Sequence, residues 1–130
     1  MLTQLLFCSH SKIGRDSPEM ARLVEQCHRN NPTLGLTGVL AFDGAQFLQL
    51  LEGEAAAVDA MFARIRADPR HSATRLLIRA PAARRMFSGT DMRFIDTHDF
   101  GHLGRAFSYD SAVRASPDEL RRRVGLLSRL

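Results

Sequence analysis

The side chain with the clearest chemical demand in this chain is Gln49. It sits in the stretch from Gly38 to Gly53, GVLAFDGAQFLQLLEG, among apolar neighbours. Asp43-Gly44 between two apolar runs predicts a turn joining two antiparallel strands. In an extended strand Phe47, Gln49 and Leu51 share one face, and Gln46, Leu48 and Leu50 share the other. A carboxamide on an otherwise apolar face must be hydrogen-bonded or it destabilises the fold. A planar ligand with donors and acceptors along one edge would meet that demand.

Two further carboxamides, Asn30 and Asn31, stand before Pro32 at the end of a helical pattern. A helix-ending turn accounts for one of them, because Asn tolerates left-handed backbone geometry. The pair, with Gln49, also suits a heterocycle edge of alternating C=O and N–H groups. Asp68-Pro69-Arg70-His71 follows a second helical pattern, with Arg64 one turn earlier. Arg and His near a helix C-terminus interact well with its negative pole, and for Arg70 alone that reading suffices. For the cluster beside a carboxamide pocket, a contact to a phosphate or carbonyl is equally well supported. The five histidines, His10, His28, His71, His98 and His102, form no metal-ligand pattern. Glu52, a lone acid at a strand end, is expected to be solvated, as is the Arg121-Arg122-Arg123 run. There is no nucleophile elbow, no Gly-rich phosphate loop and no pair of carboxylates on one apolar face, so hydrolytic catalysis has no support.

The elements that must position these groups follow from pattern. At 130 residues, 45% hydrophobic and 25% charged, the chain suits one globular domain. No apolar run reaches the length of a membrane span, and MLTQLLFCSHSK has neither a basic leader nor a small-residue cleavage site. Cys8 and Cys27 are isolated and read as reduced thiols, which with the missing leader predicts a cytoplasmic protein. The net charge is +4, and Lys12 is the only lysine among 18 basic residues.

Thr3 to Ser9 reads as a first strand, and residues 10–16 as a polar loop. Ser17 is an expected N-cap with Pro18 at the first helical position. Met20, Leu23, Val24 and Cys27 form the apolar stripe of that helix. Strands are expected at 36–42 and 46–51, and a second helix from Glu54 to Asp68-Pro69 with Val58, Met61, Phe62 and Ile65 inward. Strands at 74–80 and 92–95 follow. The order βαββαββ predicts an α+β, ferredoxin-like fold: a five-stranded mixed sheet with two helices on one face. Ser116-Pro117-Asp118-Glu119 opens a last helix with a capping-box pattern. Residues 98–115, which carry Gly101 and Gly104, are expected to be partly helical or mobile.

Five local patterns then stand in order: Arg29-Asn30-Asn31; Gly35-Leu36-Thr37-Gly38-Val39-Leu40; Phe47 to Gly53; Asp68-Pro69-Arg70-His71; and Arg85-Met86-Phe87. Together they closely resemble the BLUF family, the sensors of blue light using FAD, from about residue 2 to about residue 96. The rest resembles the C-terminal helical extension of short, single-domain members. The resemblance implies a flavin-binding part, residues 1–97, and a helical extension or cap, residues 98–130.

It implies a flavin between the two helices, FAD first, with FMN or riboflavin possible. Asn31 matches the carboxamide on the pyrimidine edge, and Asn30 a more variable neighbour. Gln49 matches the glutamine whose amide rearranges beside the flavin after light absorption, giving a reversible red shift. Phe47 stands on the same strand face. Arg64, Asp68, Arg70 and His71 match the carbonyl side and pocket mouth, and Met92 the methionine packed near the glutamine. One departure outweighs these matches. Family members carry a tyrosine on the first strand that donates an electron and proton and hydrogen-bonds the glutamine; here that position is Phe7. Cys8 points to the opposite face, and the only tyrosine, Tyr109, lies in the tail. The chain has no tryptophan, so Thr90 or its neighbours fill the stretch where many members carry one.

The implied function is a flavin-binding blue-light sensor that is not an enzyme. It would signal through a downstream protein partner and as a homo-oligomer, with an impaired photocycle. The alternative is a light-insensitive interaction module on the same scaffold, without flavin. A nucleic-acid-binding domain is a third reading, prompted by the arginines, but paired exposed aromatics are missing and no nucleic acid is expected.

Overall fold

A computed structural model describes residues 2–89, 92–98 and 107–129. Strand β1 spans Leu2–Ser11, helix α1 Pro18–Asn30, β2 Thr37–Phe42, β3 Gln46–Glu54, helix α2 Ala55–Ala67, β4 His71–Ala82 and β5 Arg93–Asp96. Two shorter helices, α3 (Tyr109–Arg114) and α4 (Pro117–Leu127), follow. The sheet order is β4-β1-β3-β2-β5, antiparallel throughout except for the parallel pair β2 and β5. This is the expected ferredoxin-like arrangement with one added strand. Among the described residues no helix is long and apolar enough to cross a membrane.

Local chemistry sets the element ends. Ser17 caps α1 by accepting from the Met20 N–H, and Pro18 supplies the first helical position. At the β2–β3 turn, Asp43 Oδ1 accepts from the N–H groups of Ala45 and Gln46, and Gly44 takes φ 102°. Gly38 is required by a close approach of β2 to β3: a Cβ there would stand 1.9 Å from the Leu50 carbonyl oxygen. Ser116 caps α4 by accepting from the Glu119 N–H.

Alternation along the strands splits the core in two. One face carries Leu5, Phe7, Leu40, Phe47 and Leu51 against Met20 and Leu23 of α1 and Val58 and Phe62 of α2. The other carries Leu6, Cys8, Val39, Leu48 and Leu50 against Ala112, Leu120, Val124 and Leu127. The stripe of the last helix therefore covers the second sheet face. Cys8 belongs to that second face, opposite Phe7, as strand alternation requires.

Several expectations need correction. Glu52 is not solvated: it is 0% exposed. Its carboxylate accepts from Gln4 Nε2 (2.8 Å), Thr37 Oγ1 (3.1 Å) and the N–H groups of Met86 (2.6 Å) and Phe87 (2.9 Å). Four donors meet the acceptor capacity of one buried carboxylate, which is what lets it leave water. Asn31 is right-handed, at φ −63°, and the left-handed residue of that turn is Gly35, at φ 66°. His10 and Ser11 belong to β1 rather than to a loop, and His71 opens β4 rather than closing the second helix. Thr90 and residues 99–106, with the second half of the His98–His102 pair, lie outside the described residues.

Candidate functional site

The two helices and the sheet enclose a cleft of about 380 Å³. That is within the usual range for a small-ligand pocket. Its α1 wall is Leu23, Gln26, Cys27 and Asn30; its α2 wall is Met61, Arg64, Ile65 and Asp68. Each set is spaced i, i+3, i+4, i+7, so each is one helix face. Asn31, Gln49, Ala67, Arg70 and His71 complete the lining. The structure thus brings Asn30, Asn31, Gln49, Arg64, Asp68, Arg70 and His71 to one place. Phe7, Phe47 and Met92 do not line the cleft; they pack against residues that do.

Gln49 is held by register. It pairs with Phe7 on β1 and with Leu40 on β2, so three side chains of adjacent strands point to the helix side. The carboxamide is 3% exposed, and its one hydrogen bond among the described residues is from Nε2 to the thioether sulfur of Met92, at 3.6 Å. A thioether is a weak acceptor. No fully buried side-chain nitrogen or oxygen among the described residues lacks a partner. The Gln49 carbonyl oxygen, which makes no hydrogen bond there, therefore opens onto the cleft.

Asn31 is 2% exposed and is fixed by its backbone. Its N–H donates to the Cys27 carbonyl, and its own carbonyl accepts from the N–H groups of Leu34 and Leu36. At the mouth, Asp68 accepts twice from Arg70 Nε (both 3.0 Å), from Arg70 Nη2 (2.6 Å) and from the Arg70 N–H (2.9 Å). Burial disfavours the Asp68 charge, but Arg70 outweighs it and holds the carboxyl below the usual carboxylate range. Arg70 Nη2 also donates to Gln26 Oε1 at 2.9 Å, which ties the end of α2 to α1. Burial pushes the thiol of Cys27 up to about 11, so it stays protonated and unreactive at neutral pH.

His71 is 7% exposed, with its ring 4.8 Å from that of Phe47 and 6.4 Å from that of Phe7. Its pKa is lowered to about 4, first by burial, with Arg70 adding to the effect and Asp68 opposing it. The unfolded chain takes up a proton near the ordinary histidine value that the folded chain refuses. Stability is therefore full above about pH 6.5 and lost as pH falls toward about 4, by on the order of 3 kcal/mol. Urea midpoints measured across that interval should fall with acid, and His71→Leu should flatten the slope. An equal slope in the variant would assign the loss to other groups.

Sequence reasoning missed Leu23, Gln26, Cys27, Met61, Ile65 and Ala67 as lining residues. The signal was present, since each shares a helix face with a predicted site residue. Tyr109 does not line the cleft: its ring stacks on His10 at 4.3 Å and its hydroxyl donates to the Ala73 carbonyl. Among the described residues no group of three or more His, Cys, Asp or Glu could hold a metal ion.

A ferredoxin-like sheet with a carboxamide-edged cleft between its helices defines a small α+β module. Residues 2–93 match the BLUF family, sensors of blue-light using FAD, and the chain belongs to that family. It is 33% identical over 96 residues to the blue light- and temperature-regulated antirepressor BluF of Escherichia coli, covering 74% of this chain and 24% of that protein. The chain thus spans about a quarter of that curated relative. Among solved structures, the dark state of the BLUF protein BlrB aligns with a TM-score of 0.80 at 27% identity, covering 97% of this chain and 96% of that one. Klebsiella pneumoniae BlrP1 with FMN and cyclic diGMP aligns with a TM-score of 0.76 at 34% identity, covering 98% of this chain and 35% of that one. BLUF domains bind flavin, FAD or FMN, and act as blue-light sensors that signal to partners.

Proposed function

We propose that the cleft between α1 and α2 is the flavin site of this chain, taking FAD first and FMN or riboflavin as smaller alternatives, and that its photocycle is impaired. The observation that carries the reading is Gln49: a buried carboxamide whose amine has, among the described residues, only a thioether partner and whose carbonyl faces the cleft. A heterocycle edge with alternating donors and acceptors supplies what that amide lacks. The FMN in the BlrP1 relative supports the choice of ligand.

A bound flavin contributes blue-light absorption and an excited state that accepts an electron and a proton. The chain's own residues do the rest. Gln49 and Asn31 orient the polar edge. Leu23, Met61 and Ile65 exclude water from the faces. Asp68 and Arg70 brace the mouth, with Asn30 and Arg64 beside them. Phe7 faces Gln49 in register and is 0% exposed, yet carries no hydroxyl to hold the amide or to give up a proton. Among the described residues no phenol lines the cleft in its place.

A change at Gln49 has a contiguous path outward. Met92 touches the amide and leads directly into β5, whose Ile95 sits in the core shared with Leu120 and Val124 of α4. We assign output to this extension, residues 98–130, acting on a protein partner or on a second copy of the chain. The free thiols of Cys8 and Cys27 suit a cytoplasmic setting.

Titrating the purified chain with riboflavin, followed by quenching of flavin fluorescence, tests the binding claim. Saturable binding at one site is expected, weakened about tenfold or more in both Asn31→Ala and Gln49→Leu by the lost hydrogen bonds. Variants that bind as tightly as the native chain would move the site elsewhere.

A further inference from the structure

Ser9 lies behind the cleft on β1, two residues from Phe7, and is 0% exposed. Its Oγ stands 2.7 Å from Nδ1 of His71. This is the only hydrogen bond that either side chain makes among the described residues. Two arrangements satisfy the distance. If His71 Nδ1 carried the proton, the Ser9 hydroxyl hydrogen would point at no acceptor in a fully buried position, at the cost of desolvating an unpaired donor. If Ser9 donates, both groups are satisfied. Nδ1 then has no proton, and a neutral ring must carry it on Nε2. The ring is neutral at physiological pH, since its pKa is lowered to about 4. Because no fully buried side-chain nitrogen lacks a partner, Nε2 is the ring atom left open, and His71 lines the cleft.

We propose that Ser9 is a positioning residue that locks His71 in its Nε2–H tautomer, so that the cleft wall offers a neutral N–H donor and selects ligands with a carbonyl oxygen at that place. The ligand half rests on the flavin reading; the tautomer half belongs to the protein alone. The rings of Phe47 and Phe7, 4.8 Å and 6.4 Å away, limit how the imidazole can turn. The donor therefore has one direction as well as one identity.

Long-range ¹H–¹⁵N correlation spectra of the ¹⁵N-histidine-labelled native chain, without ligand, read the tautomer directly. Nδ1 of His71 should resonate as an unprotonated nitrogen and Nε2 as a protonated one from about pH 6 to 8. A proton on Nδ1, or an even mixture of tautomers, would overturn the proposal with no variant needed. Ser9→Ala should yield the mixture and weaken riboflavin binding about five- to tenfold, and Ser9→Thr, which keeps the hydroxyl, should recover both. Unchanged riboflavin affinity in a folded Ser9→Ala protein would overturn the selection role. If the native chain shows the assigned tautomer but binds no riboflavin, the positioning role stands and the flavin reading fails.

Discussion

Phe7→Tyr is expected to give the FAD-loaded protein a reversible red shift under blue light that the native chain does not show. The expectation follows from register. Phe7 and Gln49 are directly paired across β1 and β3 and both point to the helix side. Paired side chains at such positions sit about 5 Å apart at Cβ. The phenyl ring is fully buried against Phe62, 5.2 Å away, so it is held in place. A hydroxyl added there stands across the strand register from an amide whose present partner is a sulfur atom. It gains an oxygen partner instead of being buried without one, so the substitution should cost little stability. It also supplies a proton that the native ring cannot. Difference spectra before and after illumination, recorded for both proteins under one lamp, give the answer. A native chain that shifts as fully and reversibly as Phe7→Tyr would mean that the hydroxyl is dispensable.

The second large effect is expected at Glu52, which does not line the cleft. Glu52→Ala removes four hydrogen bonds at once and leaves the N–H groups of Met86 and Phe87 without their acceptor. Arg85 shares this junction, donating to Thr37 Oγ1, the Glu52 carbonyl and the Gly35 carbonyl, each at 2.9 Å. The segment carrying Arg85, Met86 and Phe87 would lose its anchor to the ends of β1, β2 and β3. Hydrogen bonds contribute about 1 kcal/mol each and the buried Phe87 N–H costs more when orphaned, so a total of about 4 kcal/mol or more is expected. At roughly 3–4 °C per kcal/mol for a domain of this size, the midpoint of thermal unfolding should drop by at least about 12 °C. Glu52→Gln keeps one acceptor oxygen but sets an amine against donors, so it should fall between the two. A thermal melt of Glu52→Ala within about 2 °C of native would show that water replaces the carboxylate at little cost.

Glu52 also shows where sequence reading stops. A single acid at a strand end carries no local sign of burial, and two of its donors, the N–H groups of Met86 and Phe87, lie 34 and 35 residues further on. The same holds for Ser9, whose partner is 62 residues away. Residues 71–73, His-Ser-Ala, lack the apolar alternation of a strand. They join β4 because the end of β1 pairs with them, Ser11 with His71 and His10 with Ser72, and a register irregularity between Cys8 and His10 accommodates Ala73 at φ 50°. Gln49 was legible for the opposite reason. Its neighbours at 47 and 51 are apolar and its turn is encoded by Asp43-Gly44, so period 2 alone places the amide on a buried face. Helix α1 declared itself by its Ser17 cap and apolar stripe, and α2 by its stripe alone. What their stripes did not reveal is that each also turns part of that face toward a shared cleft.

A crystal structure of the native chain grown with FAD would show directly whether the cleft holds a flavin. The ring system should lie between α1 and α2, with its polar edge within hydrogen-bond distance of the Gln49 and Asn31 amides and the Phe7 ring beside Gln49 with no polar contact of its own. A cleft closed by the protein's own side chains, or a flavin seated away from those amides, would contradict the flavin reading.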